Sequence, residues 1–161
     1  MRILLAGAAG QVARSLVEAG RTRGVDLVAF GRPDLDLTRE SDVVRVVADV
    51  KPDVVINAAA FTAVDLAESE PEAAHLLNAT AAGWLAREAA RHFMSRKRGN
   101  IVNIASTAGT RGAPNGTAYY ASKFALRGMT ECWRGELRPH NVRVFLINPS
   151  EVVTPFFASA G

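Results

Sequence analysis

A chain of 161 residues, 48% hydrophobic and 22% charged, has the length and balance of one water-soluble globular domain with a real core. Its net charge of +3 is small and its densest basic run, "RKR" at 96–98, reads as a solvated turn rather than a nucleic-acid surface. No apolar stretch approaches the ~20 residues of a membrane span; a lone Cys132 excludes an internal disulfide framework and a cysteine zinc site, and His75, His92 and His140 are scattered without metal-ligand spacing, so no metal is expected.

The opening "MRILLAGAAG" continues as a strand and a glycine turn rather than as a cleavable leader, so a cytoplasmic protein is expected. Strand-length apolar runs follow at 2–6, 26–30, 53–58, 100–105 and 142–147, with "DLDL" at 34–37 as a very short sixth. Their near-continuous hydrophobicity suits strands buried on both faces of a parallel sheet. Between them, 39–50 places Val43, Val44, Val46, Val47 and Val50 at helical spacing. A longer helix is expected from Ser69, where "SEPE" has the form of a capping box with proline in the first turn, to about Arg91. A third covers 117–137 and stops before Pro139. Strand and helix alternating in this way predict an α/β, doubly wound, Rossmann-type three-layer fold with a mostly parallel sheet of five to six strands, in one domain over 1–161.

The first strand runs into "GAAGQVA", in which Gly7, Gly10 and Ala13 form a G-x-x-G-x-x-A pattern. Such glycines let backbone approach a pyrophosphate at the start of the next helix, here Gln11 and Val12, although they also close ordinary strand–helix turns. Ligands of open sheets lie beyond the carboxyl ends of the strands. After the second strand no acid stands directly at the end; Arg32 does, either facing a 2′-phosphate, which leans the choice toward NADP, or sitting in water as a loop arginine. Asp36 and Leu37 are placed to flank an adenine, and "NAAA" (Asn57, Ala58, Ala59, Ala60) offers small side chains for close cofactor approach.

"TAYYASKFAL" at 117–126 puts Tyr119 and Lys123 at i and i+4, on one helix face, with Tyr120 about a hundred degrees away. By itself that spacing is more often an ordinary helix face. Ser106, just past the fourth main strand, lies at the same carboxyl edge as the glycine turn. A phenol with a pKa near ~10 needs a neighbouring ammonium to work as an acid or base near neutrality, and Lys123 is placed to provide one.

Together these residues resemble the short-chain dehydrogenase/reductase superfamily: Gly7-x-x-Gly10, "NAAA", Asn78, Ser106, Tyr119-x-x-x-Lys123 and "NPSEVVT". The resemblance implies a hydride-transferring oxidoreductase that uses NAD or NADP on a small carbonyl or alcohol. In it Tyr119 is the acid/base and Lys123 tunes it and binds ribose. Ser106 orients substrate, and Asn78 positions a relay water through its carbonyl. Pro149, Val152 and Thr154 line the nicotinamide side, and helices near 70–91 and 117–137 pair two subunits.

Residues 1 to about 90 look like dTDP-4-dehydrorhamnose reductases, whereas those from about 93 look like the single-domain branch, similar to 3-oxoacyl-carrier-protein reductases. The change falls between "REAAR" and "HFMSRKRGN", which suggests a chimera joined near 88–97. Relatives continue well past residue 161, so the resemblance also implies a C-terminally truncated fold whose substrate pocket is incomplete. A recombinant or designed nucleotide-binding scaffold with little or no turnover is the alternative reading.

Overall fold

Five apolar runs of the sequence become five parallel strands in the computed structural model, which describes residues 1–150. They are β1 (Arg2–Ala6), β2 (Asp26–Phe30), β3 (Val54–Asn57), β4 (Gly99–Ile104) and β5 (Val142–Ile147), in the spatial order β2-β1-β3-β4-β5. The strand order reverses between β1 and β3, so their carboxyl ends border the crevice where such sheets bind ligands. The helices are α1 (Gln11–Thr22), α2 (Glu40–Val50), α3 (Val64–Ser69), α4 (Pro71–His75), α5 (Ala81–Arg96) and α6 (Thr117–Leu137). No helix among the described residues is long and apolar enough to cross a membrane.

One sheet face carries the main core. Leu4, Ala6, Val55, Ile101, Val142 and Val144 pack with Val43, Val46, Val47 and Val50 of α2 and with Leu85, Ala89 and Phe93 of α5. β-Branched residues cost a helix a few tenths of a kcal/mol each, but burying such a side chain returns about 1.5–3 kcal/mol, so the valine stripe favours α2 once it meets the sheet.

The opposite face is covered unequally. α1 lies over β2, with Gly20 against the Leu27 side chain, and Leu5 of β1 is fully buried. Toward β5 the register aligns Ile56, Val102 and Phe145. Ile56 and Val102 are only partly covered, while Phe145 and Ile147 are 42% and 49% exposed. These side chains belong to neither buried cluster. The fold is doubly wound as expected, with one helical layer much fuller than the other.

Three sequence expectations need correction. "DLDL" is a turn, not a strand: Leu35 and Leu37 drop into the core, while Asp36 bends back to accept hydrogen bonds from the Thr38 N–H and hydroxyl at 3.0 and 2.7 Å. The capping box at Ser69 does not form, because the Ser69 hydroxyl donates to the Leu66 carbonyl and closes α3. A helical path instead starts at Pro71, passes through a π-turn at Leu76–Thr80, and continues as α5 to Arg96. The basic run is more than a solvated turn, since Arg96 and Arg98 reach the Asp53 carboxylate at 2.8 and 3.5 Å. That carboxylate also accepts the Arg2 N–H, and the Arg2 bond first and the Arg96 bond next hold its pKa below the usual range.

Candidate active site

Gly7 adopts φ +95°, and a Cβ there would lie 2.7 Å from the Ala59 nitrogen. Only glycine lets the turn after β1 rest directly on the turn after β3. Asn57, nearly fully buried, braces that second turn by accepting the Ala59 N–H at 3.2 Å. The Gly7 and Ala8 N–H groups both donate to the Phe30 carbonyl, at 2.9 and 3.0 Å, so the glycine turn is also anchored to β2. Gly10 caps α1 without any side-chain hydrogen bond, and the first turn holds no acid. Gln11 and Val12 are exposed there, while Ala13 is fully buried beneath them. Unsatisfied N–H donors and the positive end of a 12-residue helix thus face outward, the donor set a pyrophosphate fits.

Beyond β2, Arg32 is exposed and makes no salt bridge among the described residues. Asp36 is held below its ordinary pKa, first by hydrogen bonds from Thr38 and less by the charges of Arg32 and Arg39. Leu37 is 6% exposed and its side chain packs in the core cluster.

Across the crevice stands α6. Lys123 is only 2% exposed, and burial lowers its amine to about 8. Its Nζ lies 5.6 Å from the centre of the Tyr119 ring. Burial pushes the Tyr119 phenol above its ordinary value, while the neighbouring Ser106 hydroxyl pulls it back. The expected lowering by the ammonium is therefore not what governs Tyr119 in the protein alone; desolvation is. Ser106 continues the extended chain from β4 and its Oγ accepts the Ala108 N–H at 3.1 Å. Gly109 then approaches α6 so closely that a Cβ would meet the Lys123 carbonyl at 2.9 Å, which seats the Ser106 loop against the helix. The Thr107 N–H donates to the Pro149 carbonyl at 3.0 Å and brings Pro149 to the same edge. Val152 and Thr154 lie outside the described residues. Tyr120 does not turn fully away: its ring meets the Tyr119 ring edge-on, with centroids 6.1 Å apart, and packs on Gly116 beside Val64.

Asn78 sits in the π-turn, 2% exposed. Its Oδ1 accepts the Phe61 N–H at 2.7 Å, and its Nδ2 donates to the Phe61 carbonyl and to Ser122 Oγ, both at 3.0 Å. Ser122 in turn donates to the Tyr119 carbonyl at 2.7 Å. The sequence reading missed Ser122; its signal was a serine inside a helix, one position before Lys123, where hydroxyls commonly bond back to the preceding turn. Two open depressions of about 470 and 530 Å³ lie elsewhere, one at the amino edge beside Asp53, Arg98 and Arg143, the other along α1 beside Arg14 and Arg21. Neither holds the Tyr119–Lys123 pair.

The family model described as the RmlD substrate binding domain matches residues 1–95. A dTDP-4-dehydrorhamnose reductase of Burkholderia thailandensis is 49% identical over 90 residues, covering 53% of this chain and 28% of the reductase. An L-xylulose reductase of Bos taurus is 31% identical over 182 aligned positions, covering 99% of this chain and 75% of its own length. The chain belongs to the short-chain dehydrogenase/reductases. A solved member of similar fold, 4-hydroxyisoleucine dehydrogenase complexed with NADH and succinate, superposes with a TM-score of 0.82 at 27% identity, covering 91% of this chain and 78% of that one. Against the dTDP-4-dehydrorhamnose reductases, this short-chain dehydrogenase/reductase spans only about a third of their length.

Proposed function

We propose that the chain is the core of an NAD(P)-dependent oxidoreductase that moves hydride between a nicotinamide dinucleotide and a small carbonyl or alcohol. The observation that carries this reading is the pairing of an uncapped glycine turn with Ser106, Tyr119 and Lys123 at the same carboxyl edge of the sheet. Gly7, Gly10, Gln11 and Val12 would hold the pyrophosphate, and Asn57, Ala58 and Ala59 the adjoining ribose. When bound, the nicotinamide supplies or accepts the hydride. Tyr119 gives its phenolic proton to the substrate oxygen in reduction and recovers it in oxidation. The Ser106 hydroxyl holds that oxygen. Lys123, charged below about pH 8 and without a carboxylate partner among the described residues, is free to bind a ribose hydroxyl and to favour phenolate once a phenolate forms.

The test begins with parallel titrations of NADH and NADPH followed by nicotinamide fluorescence, then turnover of a carbonyl panel. Tyr119→Phe should keep cofactor binding and lose activity by about 100-fold or more, the usual size of an acid–base contribution. A Tyr119→Phe protein as active as its parent would overturn the assignment. The matched stretch of the family model ends at residue 95, which supports the inference of a junction near 88–97 between two branches. Exposed Leu76 on the middle helical path and Phe124 on α6 support pairing of two copies through these helices.

A further inference from the structure

We propose that Ser122 is a positioning residue, whose hydroxyl locks the Tyr119–Lys123 turn of α6 to the Asn78 π-turn and, through it, to the segment after β3. The inference rests on the oxidoreductase reading for its functional meaning, although its geometry does not.

Three chain segments meet at one buried point. The backbone of Phe61 offers an N–H and a carbonyl, and the Asn78 amide answers both, at 2.7 and 3.0 Å. That double contact fixes the amide orientation: a flipped amide would set its NH₂ against the Phe61 N–H, donor to donor. Asn78 Nδ2 must therefore donate to Ser122, and Ser122 Oγ must accept there. The single hydroxyl proton is left for the Tyr119 carbonyl, 2.7 Å away. Every proton in the chain of bonds has one consistent place, and Asn78 and Ser122 are 2% and 0% exposed, so no water competes.

The arrangement differs from routine packing in what it connects. Phe61 follows the turn that Gly7 touches, and Asn78 lies in a five-residue π-turn, a rare feature found frequently at functional sites. Ser122 lies between Tyr119 and Lys123 on α6. A shift of the first turn of α6 relative to the glycine edge would have to break this chain of bonds first. The Tyr119 carbonyl does not need Ser122 for satisfaction, since helices supply an N–H four residues on. The extra bond instead orients the Ser122 hydroxyl, so that its oxygen accepts from Asn78 Nδ2 and ties α6 to the π-turn.

The sequence has only two tyrosines, so Tyr120→Phe, at a packing position, leaves Tyr119 as the only phenol. Its ionisation can then be followed by tyrosinate absorbance without cofactor or turnover. In that background Tyr119 should titrate above an ordinary phenol. Ser122→Ala should bring the midpoint down by about half a pH unit or more, as the loosened turn admits water. Ser122→Thr, which keeps the hydroxyl, should leave the midpoint in place. If Ser122→Ala does not fold, Ser122→Cys, of similar shape and weak donor strength, replaces it with the same expectation. A midpoint unchanged when the hydroxyl is lost, even with a lowered melting temperature, would overturn the proposal. Equal shifts in the Ala and Thr variants would overturn it as well, because volume would then be the cause. If the Tyr120→Phe parent fails to bind NADH or NADPH while these shifts occur, the oxidoreductase reading falls and the positioning role stands.

Discussion

Lys123 is the residue at which the proposed chemistry and the stability of the fold pull in opposite directions. The amine is almost fully buried, makes no salt bridge among the described residues, and titrates near 8 instead of 10.5. A lysine whose pKa falls on folding binds fewer protons in the native state than in the unfolded chain between those two values. Stability therefore rises with pH across the window from about 8 to 10.5, and below about 8 the folded protein carries the full cost of a buried charge. At about 1.4 kcal/mol per tenfold change in the proton equilibrium, that cost is on the order of 3 kcal/mol.

Replacing Lys123 with methionine keeps the length of the side chain and removes the charge. Lys123→Met should be more stable than its parent by about 3 kcal/mol at pH 7, a rise in Tm of roughly 10 °C for a domain of this size. Urea unfolding of both proteins between pH 6.5 and 9.5 checks the sign, because the gap should narrow as pH passes 8. Above pH 10 Tyr119 adds the opposite trend: its raised pKa contributes stability that is lost as the buried phenol ionises, so the comparison stops short of it. A gap that does not change with pH, or a less stable Lys123→Met protein at pH 7, would refute the reasoning. The variant should also lose turnover.

Other substitutions test separate parts of the site. Gly7→Ala should cost about 2 kcal/mol or more in urea unfolding, from the positive φ and the close Ala59 backbone, and should abolish the cofactor fluorescence response. A fully stable Gly7→Ala protein would show that the two turns can separate freely. Gly99→Ala drives a methyl to within 2.1 Å of the fully buried Phe93 ring, so calorimetry should show a loss of about 1–3 kcal/mol. Arg32→Ala should weaken NADPH by about tenfold or more and leave NADH unchanged, because a charge-assisted hydrogen bond is worth about 1.5–3 kcal/mol. Equal effects on both cofactors, or none, would make Arg32 a solvated loop residue.

The strands and α6 were legible because their signals were local. Near-continuous apolar runs such as "VRVFLI" have little else to become, and α6 ends at Leu137, just before Pro139. "DLDL" misled because its leucines are apolar for burial beneath α2, and its aspartate for closing a turn, neither of which needs a ladder. The Ser69 capping box failed for a similar reason: its hydroxyl had a nearer acceptor in Leu66. The roles proposed for Tyr119 and Lys123 could be read from spacing, but the burial that raises one pKa and lowers the other depends on packing from distant segments. The place of Ser122 in a helix was legible, but its bond to Asn78 was not, since that partner lies 44 residues away.

The unequally covered sheet has a consequence for the temperature dependence of folding. Apolar groups that are already wet in the native state add nothing to the heat capacity released on unfolding, and Phe145 and Ile147, with their partly covered neighbours on β3 and β4, are such groups. The described domain should therefore show a heat-capacity increment below the ~12–15 cal/mol/K per residue typical of fully wrapped proteins. Its stability curve is correspondingly flat: cooling weakens it little, and the temperature of cold unfolding moves further below freezing. Covering that face with another surface would steepen the curve, so the same contact that added stability at the optimum would make the protein more sensitive to departures from it.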